Sequence, residues 1–313
     1  MDQKAPFSGL MSIALATAFT LVVYSAQFVL LVSKLGEVFG GVFDTSVPAY
    51  PLAGMFFVVL FLAFRRKELL QRVMDQGRSW GATLTGAVVA GAPFAALLAA
   101  PSLSQSYSFA GVALVCSWFG VLVALRPAVL SFLAPYFLLY IVAVGLVGAL
   151  TAAFGDPLAI AVATLSSAFT HLLGLGVQWS SVYIDFVAAG GQPVSLVITQ
   201  ECSGVASMSI FLLVLGLMHL DLKANLRTSA WFAVGGSALF ILLNSLRVDG
   251  IILGGIYVGT DFMWSLHGWL GYALYIFGYF FLIFLYARAK SDHDGDKGNL
   301  VKSFDRNPAS PQL

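Results

Sequence analysis

Apolar residues run along this chain in long blocks separated by short polar stretches, and the blocks have the length of membrane helices. A span needs roughly 20 mostly apolar residues to cross a hydrocarbon core about 30 Å thick. Such runs cover 9–33, 47–64, 80–100, 109–125, 129–154, 203–220, 229–246 and 267–286. The pattern predicts an all-α polytopic membrane protein with about eight transmembrane helices. Pro48 and Pro51 suit the first turn of the second run, and Pro135 suits a kink in the fifth.

One segment breaks the rhythm. Residues 157–177 are apolar enough to span, yet Thr164, Ser167 and His171 follow one helical face. Charge decides its fate. Arg65, Arg66, Lys67, Arg72 and Arg78 crowd one loop, which marks the cytoplasm. If 157–177 spans, either that loop or the later basic residues Lys223, Arg227, Arg288, Lys290, Lys297, Lys302 and Arg306 must face outward. If the segment lies in the interface or dips in and returns, all of the 16 basic residues except Lys34 and Arg247 fall inside. The expectation is therefore an extracytosolic interfacial helix and two cytoplasmic termini. After it, residues 181–187 and 194–199 alternate around Gly190 and Gly191, which reads as a small β-hairpin on the outer side. An open sheet is not tolerated in lipid, so it should cap the bundle.

Composition agrees and adds exclusions. The chain is 59% hydrophobic and 10% charged, with a mean hydropathy of +0.89, so it is not a soluble globule. The first run has no small-residue cleavage site after it and reads as an anchor. A net charge of +1, with no basic cluster interleaved with aromatics, gives no sign of nucleic acid. Two cysteines suggest neither a disulfide framework nor a metal site, and no cofactor is expected.

The candidate chemistry gathers at span ends. Cys202 stands in Glu201-Cys202-Ser203-Gly204, just where a run begins, and a thiol at a helix N-terminus is favoured as thiolate. Arg247 closes the next run and His267 opens the last. In antiparallel spans those three positions share one face, so a nucleophile, a cation and a proton carrier converge. Each has an ordinary reading too: Cys202 a small hydrophobe, Arg247 an interface anchor, His267 a belt residue beside Trp264 and Trp269. Asn244, three residues before Arg247, lies on the same helical side, and Asp249 is near enough to be its counter-ion. Glu201 either opposes the thiolate by like charge or orders the site as an acceptor. Ser203 flanks the thiol, and His171 is a further candidate from the interfacial helix. Gly81, Gly86, Gly91, Gly235 and Gly236 permit close helix packing.

The motifs Glu201-Cys202-Ser203-Gly204, Asn244-Ser245-Leu246-Arg247 and His267 with Gly271 resemble the exosortase/archaeosortase family in order, spacing and topology. The likeness covers about 157–286 and is nearer the bacterial exosortase branch, because archaeal members usually carry arginine where this chain has His267. The resemblance implies N-terminal transmembrane helices over 1–156, a catalytic core over 157–290 and a disordered cytoplasmic tail over 291–313. It also implies a membrane-embedded cysteine protease or transpeptidase of the bacterial inner membrane, with its site on the extracytosolic side. The substrates would be exported, membrane-anchored proteins with a C-terminal sorting tail: a short motif such as Pro-Glu-Pro, a hydrophobic helix and a basic cluster. Cys202 would form a thioester, Arg247 would stabilise thiolate or oxyanion, and His267 would protonate the leaving amine. Water, or an amine on an envelope lipid or polymer, would resolve it. Two other readings stand beside this one: a transporter that uses Arg247 and Glu201, and a membrane acyltransferase that uses Cys202.

Overall fold

The structure is a computed structural model that describes the backbone of residues 4–39, 50–75, 77, 79–222 and 225–304. Ten α-helices and a three-stranded sheet make up the described residues. The helices are α1 (Lys4–Val23), α2 (Ser25–Phe39), α3 (Tyr50–Phe64), α4 (Arg66–Met74), α5 (Trp80–Ala99), α6 (Tyr107–Leu125), α7 (Leu130–Leu172), α8 (Val205–Leu222), α9 (Leu226–Tyr257) and α10 (Thr260–Phe304). Between α7 and α8 lie β1 (Gln178–Ser180), β2 (Tyr183–Val187) and β3 (Pro193–Val197). The molecule is an all-α polytopic membrane protein apart from that sheet.

Among the described residues six helices are long and apolar enough to cross a membrane, or seven if α1 and α2 count as one broken span. The expected eight is corrected at the N-terminal end. The first run bends by 82° between Gly9–Val23 and Ser25–Ser33. The second forms a helix of only 15 residues, about 22 Å at 1.5 Å per residue, short of a full hydrocarbon core. Pro51 does stand in its first turn, and Pro48 lies outside the described residues.

A second correction concerns 157–177. No separate interfacial helix forms: α7 runs unbroken through Pro135 and Pro157 for 43 residues. At roughly 64 Å it is twice the thickness of a hydrocarbon core, so its C-terminal half extends past the bundle. A proline within a helix removes one backbone hydrogen bond. Here packing offsets that loss, because Ala159, Val162, Ala163, Ser166 and Thr170 follow one another at helical spacing and are all buried. Thr164 and His171 face out while Ser167 faces in, so the three do not share a polar face.

The buried stripe of α7 packs on the sheet and on the far end of α9. Ile184, Phe186, Leu196 and Ile198 meet Val248, Ile251, Ile252, Met263 and Leu266 in one apolar core. β2 and β3 pair antiparallel, with Tyr183 opposite Val197 and Val187 opposite Pro193. That is the predicted hairpin. β1 adds a third strand against β2, with Gln178 opposite Asp185, which makes the hairpin a sheet. Its three residues are too short to show alternation. A larger core holds the helices together below, around Phe119, Leu133, Tyr140, Leu217 and Phe240. At that lower end Arg65 donates to Asp221 at 2.7 Å and also pairs with Glu68, tying α3 and α4 to the end of α8. Tyr279 on α10 donates to the Ser207 carbonyl at 3.0 Å and steadies the first turns of α8. α10 keeps its helical backbone to Phe304, through much of the stretch for which disorder is expected.

Of the small residues noted in the sequence, Gly86 and Gly236 sit at tight crossings, whereas Gly81, Gly91 and Gly235 have open space beside them. A spacing of five turns each successive glycine about 140° around the helix, so only one of 81, 86 and 91 can face α6. A Cβ on Gly86 would come within 2.5 Å of the Ala124 amide nitrogen and 2.6 Å of the Gly120 carbonyl. Backbone cannot yield as a side-chain end can. Gly86→Leu is expected to cost about 2–3 kcal/mol or more, against little change for Gly91→Leu, read as the difference in Tm of the purified protein in detergent.

Candidate active site at the head of α8

The chain enters α8 through a single tight turn, Glu201–Ser203, closed by Gly204 at φ 87°. The Cys202 N–H donates to the Thr199 carbonyl at 3.0 Å and the Ser203 N–H to that of Gln200 at 3.2 Å. Ser203 is fully buried, and its hydroxyl donates to the Gln200 carbonyl at 2.6 Å. Gln200 in turn donates from Nε2 to Asp156 at 2.9 Å, beside Gly155, where a Cβ would press on the Gln200 side chain at 3.0 Å. The turn is thereby pinned to the middle of α7. Cys202 itself is half-buried against the sheet core.

α9 supplies the other side. Asn244, fully buried, donates from Nδ2 to the Cys202 carbonyl at 2.6 Å. Its Oδ1 accepts from the Tyr275 hydroxyl on α10 at 2.6 Å. Tyr275 lies within electrostatic reach of both Arg247 and Cys202. One turn beyond Asn244, Arg247 donates from Nη2 to the His267 carbonyl at 3.2 Å. Gly271 leaves room for it, since a Cβ there would stand 2.9 Å from Arg247 Nε and 3.0 Å from its Cδ. The His267 ring meets Trp264 edge-on at 5.7 Å. Cys202, Asn244, Arg247 and His267 thus come together at one end of the bundle, brought there by the start of α8, the middle of α9 and the start of α10.

Two nitrogens in this cluster, Arg247 Nε and His267 Nδ1, are buried without a hydrogen-bond partner. Buried polar atoms are nearly always paired, because leaving one unpaired costs about 1–3 kcal/mol. The two orphaned nitrogens belong to neighbouring side chains, since Arg247 holds the His267 carbonyl.

Other sequence candidates fall elsewhere. Asp249 is not a counter-ion to Arg247: among the described residues no ion pair joins them, and Asp249 is buried beside Ser166 of α7. Positions two apart on a helix do not share a face, so Arg247 looks to α10 while Asp249 looks to α7. His171 is exposed in the last turn of α7, about 24 Å along the helix from Gly155, and is not part of the cluster. Glu201 belongs to the turn by its backbone, while its side chain lies outside the described residues. Cys116 is buried within α6, near Tyr24 and Tyr140. Among the described residues no group of three or more His, Cys, Asp or Glu side chains forms a metal site. Sequence reasoning missed Tyr275, Gln200, Gly155 and Asp156. The acidic residue in an apolar run, Asp156, was the available signal for a contact there.

The family model of transmembrane exosortases matches residues 51–285. The chain belongs to that family, whose members are membrane peptidases or transpeptidases acting on sorting signals. No curated protein matches the chain. No solved structure matches it either.

Gly204 combines a left-handed backbone with a close neighbour, since a Cβ there would lie 3.2 Å from Asn244 Cβ. Gly174, at φ 69°, has the same kind of backbone and open space. Both alanine variants are expected to lose about 1–2 kcal/mol from the backbone alone. Gly204→Ala should lose more, because Asn244 is displaced. Thermal unfolding in detergent compares the two.

Proposed function

We propose that this exosortase-family protein cleaves C-terminal sorting tails of exported, membrane-anchored proteins by covalent catalysis at Cys202. The observation that carries the reading is the pair of unpartnered buried nitrogens on Arg247 and His267 beside the Cys202 turn. Together they offer what acyl transfer from a peptide needs: a nucleophile, a donor for developing oxyanion charge and a proton carrier.

In this mechanism Cys202 Sγ attacks the scissile carbonyl carbon as its proton passes to His267. Negative charge builds on the carbonyl oxygen, and Arg247, whose Nη2 is occupied by the His267 carbonyl, turns its free Nε toward that oxygen. Collapse breaks the C–N bond, His267 returns the proton to the leaving amine, and a thioester remains on Cys202. Water or an amine then attacks the thioester carbonyl and frees the thiol. Hydrolysis and transpeptidation differ only in that last nucleophile. An envelope lipid or polymer is the amine-bearing acceptor to look for.

The surroundings suit a substrate that is itself a membrane helix. Its hydrophobic segment would lie against the bundle, its motif would reach the head of α8, and its basic cluster would stay in the cytoplasm. The positive-inside pattern supports an inner-membrane protein whose Cys202 end faces outward. The Pro-Glu-Pro type of motif enters through the resemblance of Glu201-Cys202-Ser203-Gly204, Asn244 to Arg247, and His267 to bacterial exosortases.

Co-expression with a reporter ending in motif, hydrophobic helix and basic residues tests the reading. Cys202→Ala, Arg247→Ala and His267→Ala are each expected to insert and fold, yet to lose processing by on the order of a hundredfold or more. Cys116→Ala should process normally. The wild-type enzyme should yield a thioester adduct on Cys202 by mass spectrometry, and processing that survives in Cys202→Ala removes the covalent mechanism.

A further inference from the structure

We propose that Tyr275 is a positioning residue for Cys202, acting through Asn244. This rests on the reading of Cys202 as the nucleophile. A primary amide in a buried site has two orientations of nearly equal shape and opposite hydrogen bonding. Only one of them turns Nδ2 toward the Cys202 carbonyl; the other would set two carbonyl oxygens against each other. The Cys202 carbonyl can only accept, so it takes Nδ2 at 2.6 Å, and the Tyr275 hydroxyl donates to the remaining Oδ1, also at 2.6 Å. The phenol oxygen also faces the Arg247 guanidinium and Ser207, both within electrostatic reach of it. Donors therefore point one way along the chain from Arg247 through Tyr275 and Asn244 to Cys202.

Space enforces the same arrangement. Asn244 is fully buried, and its Cβ and Cγ press on Gly204 at the positions a side chain would occupy there, 3.2 and 3.3 Å away. With the Tyr275 proton removed, Asn244 Oδ1 becomes a buried acceptor without a donor, and the amide that holds the Cys202 carbonyl loses its support from α10. Tyr279 supplies an internal comparison. It sits one turn along α10, and its hydroxyl donates to the Ser207 carbonyl in α8, not to the amide.

The test uses the full-length enzyme in detergent with Cys116→Ala as background. It follows both substrate processing and alkylation of Cys202 by a small maleimide without substrate. Tyr275→Phe is expected to lower kcat about tenfold with KM little changed and to slow alkylation by a similar factor. Tyr279→Phe, which makes the same chemical change one turn away, should alkylate at the parental rate. Asn244→Ala should match Tyr275→Phe, and the double variant should lose no more than either single, because both break one chain. Parental alkylation in Tyr275→Phe, or losses that multiply in full in the double variant, overturn the proposal. If Tyr275→Phe does not fold, Asn244→Asp keeps the acceptor and removes the donor to Cys202; slowed alkylation there supports the chain and a parental rate overturns it. Slowed alkylation in a protein that processes no tail upholds the positioning role and overturns the peptidase reading instead.

Discussion

Asn244 joins three helices at one amide. Its nitrogen holds the carbonyl of the residue that carries the thiol, its oxygen takes the Tyr275 hydroxyl, and its backbone belongs to the helix that presents Arg247 one turn later. In an apolar interior such a contact is worth more for what it forbids than for its net strength. A typical buried hydrogen bond contributes about 1 kcal/mol, whereas a buried donor or acceptor left unpaired costs about 1–3 kcal/mol. Moving α8, α9 or α10 apart at this level strands two polar groups at once. The relative height of the three helices is set accordingly, and with it the meeting of Cys202, Arg247 and His267.

The two cores divide the rest of the task. Below, aromatic and branched side chains from α6 to α10 fill the bundle between the helices. Above, the overlong α7 and the extension of α9 trap the sheet between them. Cys202 lies where those cores meet, and Gln200 couples it to α7 through Asp156. A turn held from α7 on one side and α9 on the other keeps its shape at the edge of the sheet core. The continuous α7 matters here. A separate, tilting helix over 157–177 would let Asp156 and the sheet move independently of the span, and the clamp on Gln200 would be lost.

How much of this could be read from residues alone follows from how rare each signal is. Cys202, Arg247 and His267 stand out in the sequence because they are polar residues at the edges of apolar runs. Tyr275 was not legible: it is one of 11 tyrosines, in a helix whose other aromatic residues face outward or pack. What distinguishes it is that its partner, 31 positions away in sequence, is the amide that holds the Cys202 carbonyl, which only the fold supplies. The sequence reads as one run ending at 154 and a separate segment starting at 157, which opens on Pro157, a poor helix residue in isolation. Tertiary packing overrode that preference once Ala159, Val162 and Ala163 had a sheet to bury against. The first two runs misled for the opposite reason. Hydropathy counts apolar residues, and neither a bend of 82° nor a helix of 15 residues changes that count.

The orphaned nitrogens give the arrangement its direction. Of the four buried side-chain atoms without a partner among the described residues, two belong to Arg247 and His267. A folded chain does not gain stability from them, and the carbonyl of His267, which Arg247 does satisfy, lies within reach of only one of its donors. The surrounding structure nevertheless holds both side chains still: Gly271 admits the guanidinium, Trp264 backs the imidazole, and the Asn244 amide fixes the turn opposite them. Under the proposed mechanism, such rigid support suits charge that develops only during the reaction, because nitrogens relaxed onto their own backbone would have to be pulled away before they served a substrate. The packed sheet and the clamp at Gln200 supply the stability that the site itself forgoes. On the proposed reading, a peptide carbonyl and its leaving nitrogen would relieve the cost of the two unpaired nitrogens on Arg247 and His267.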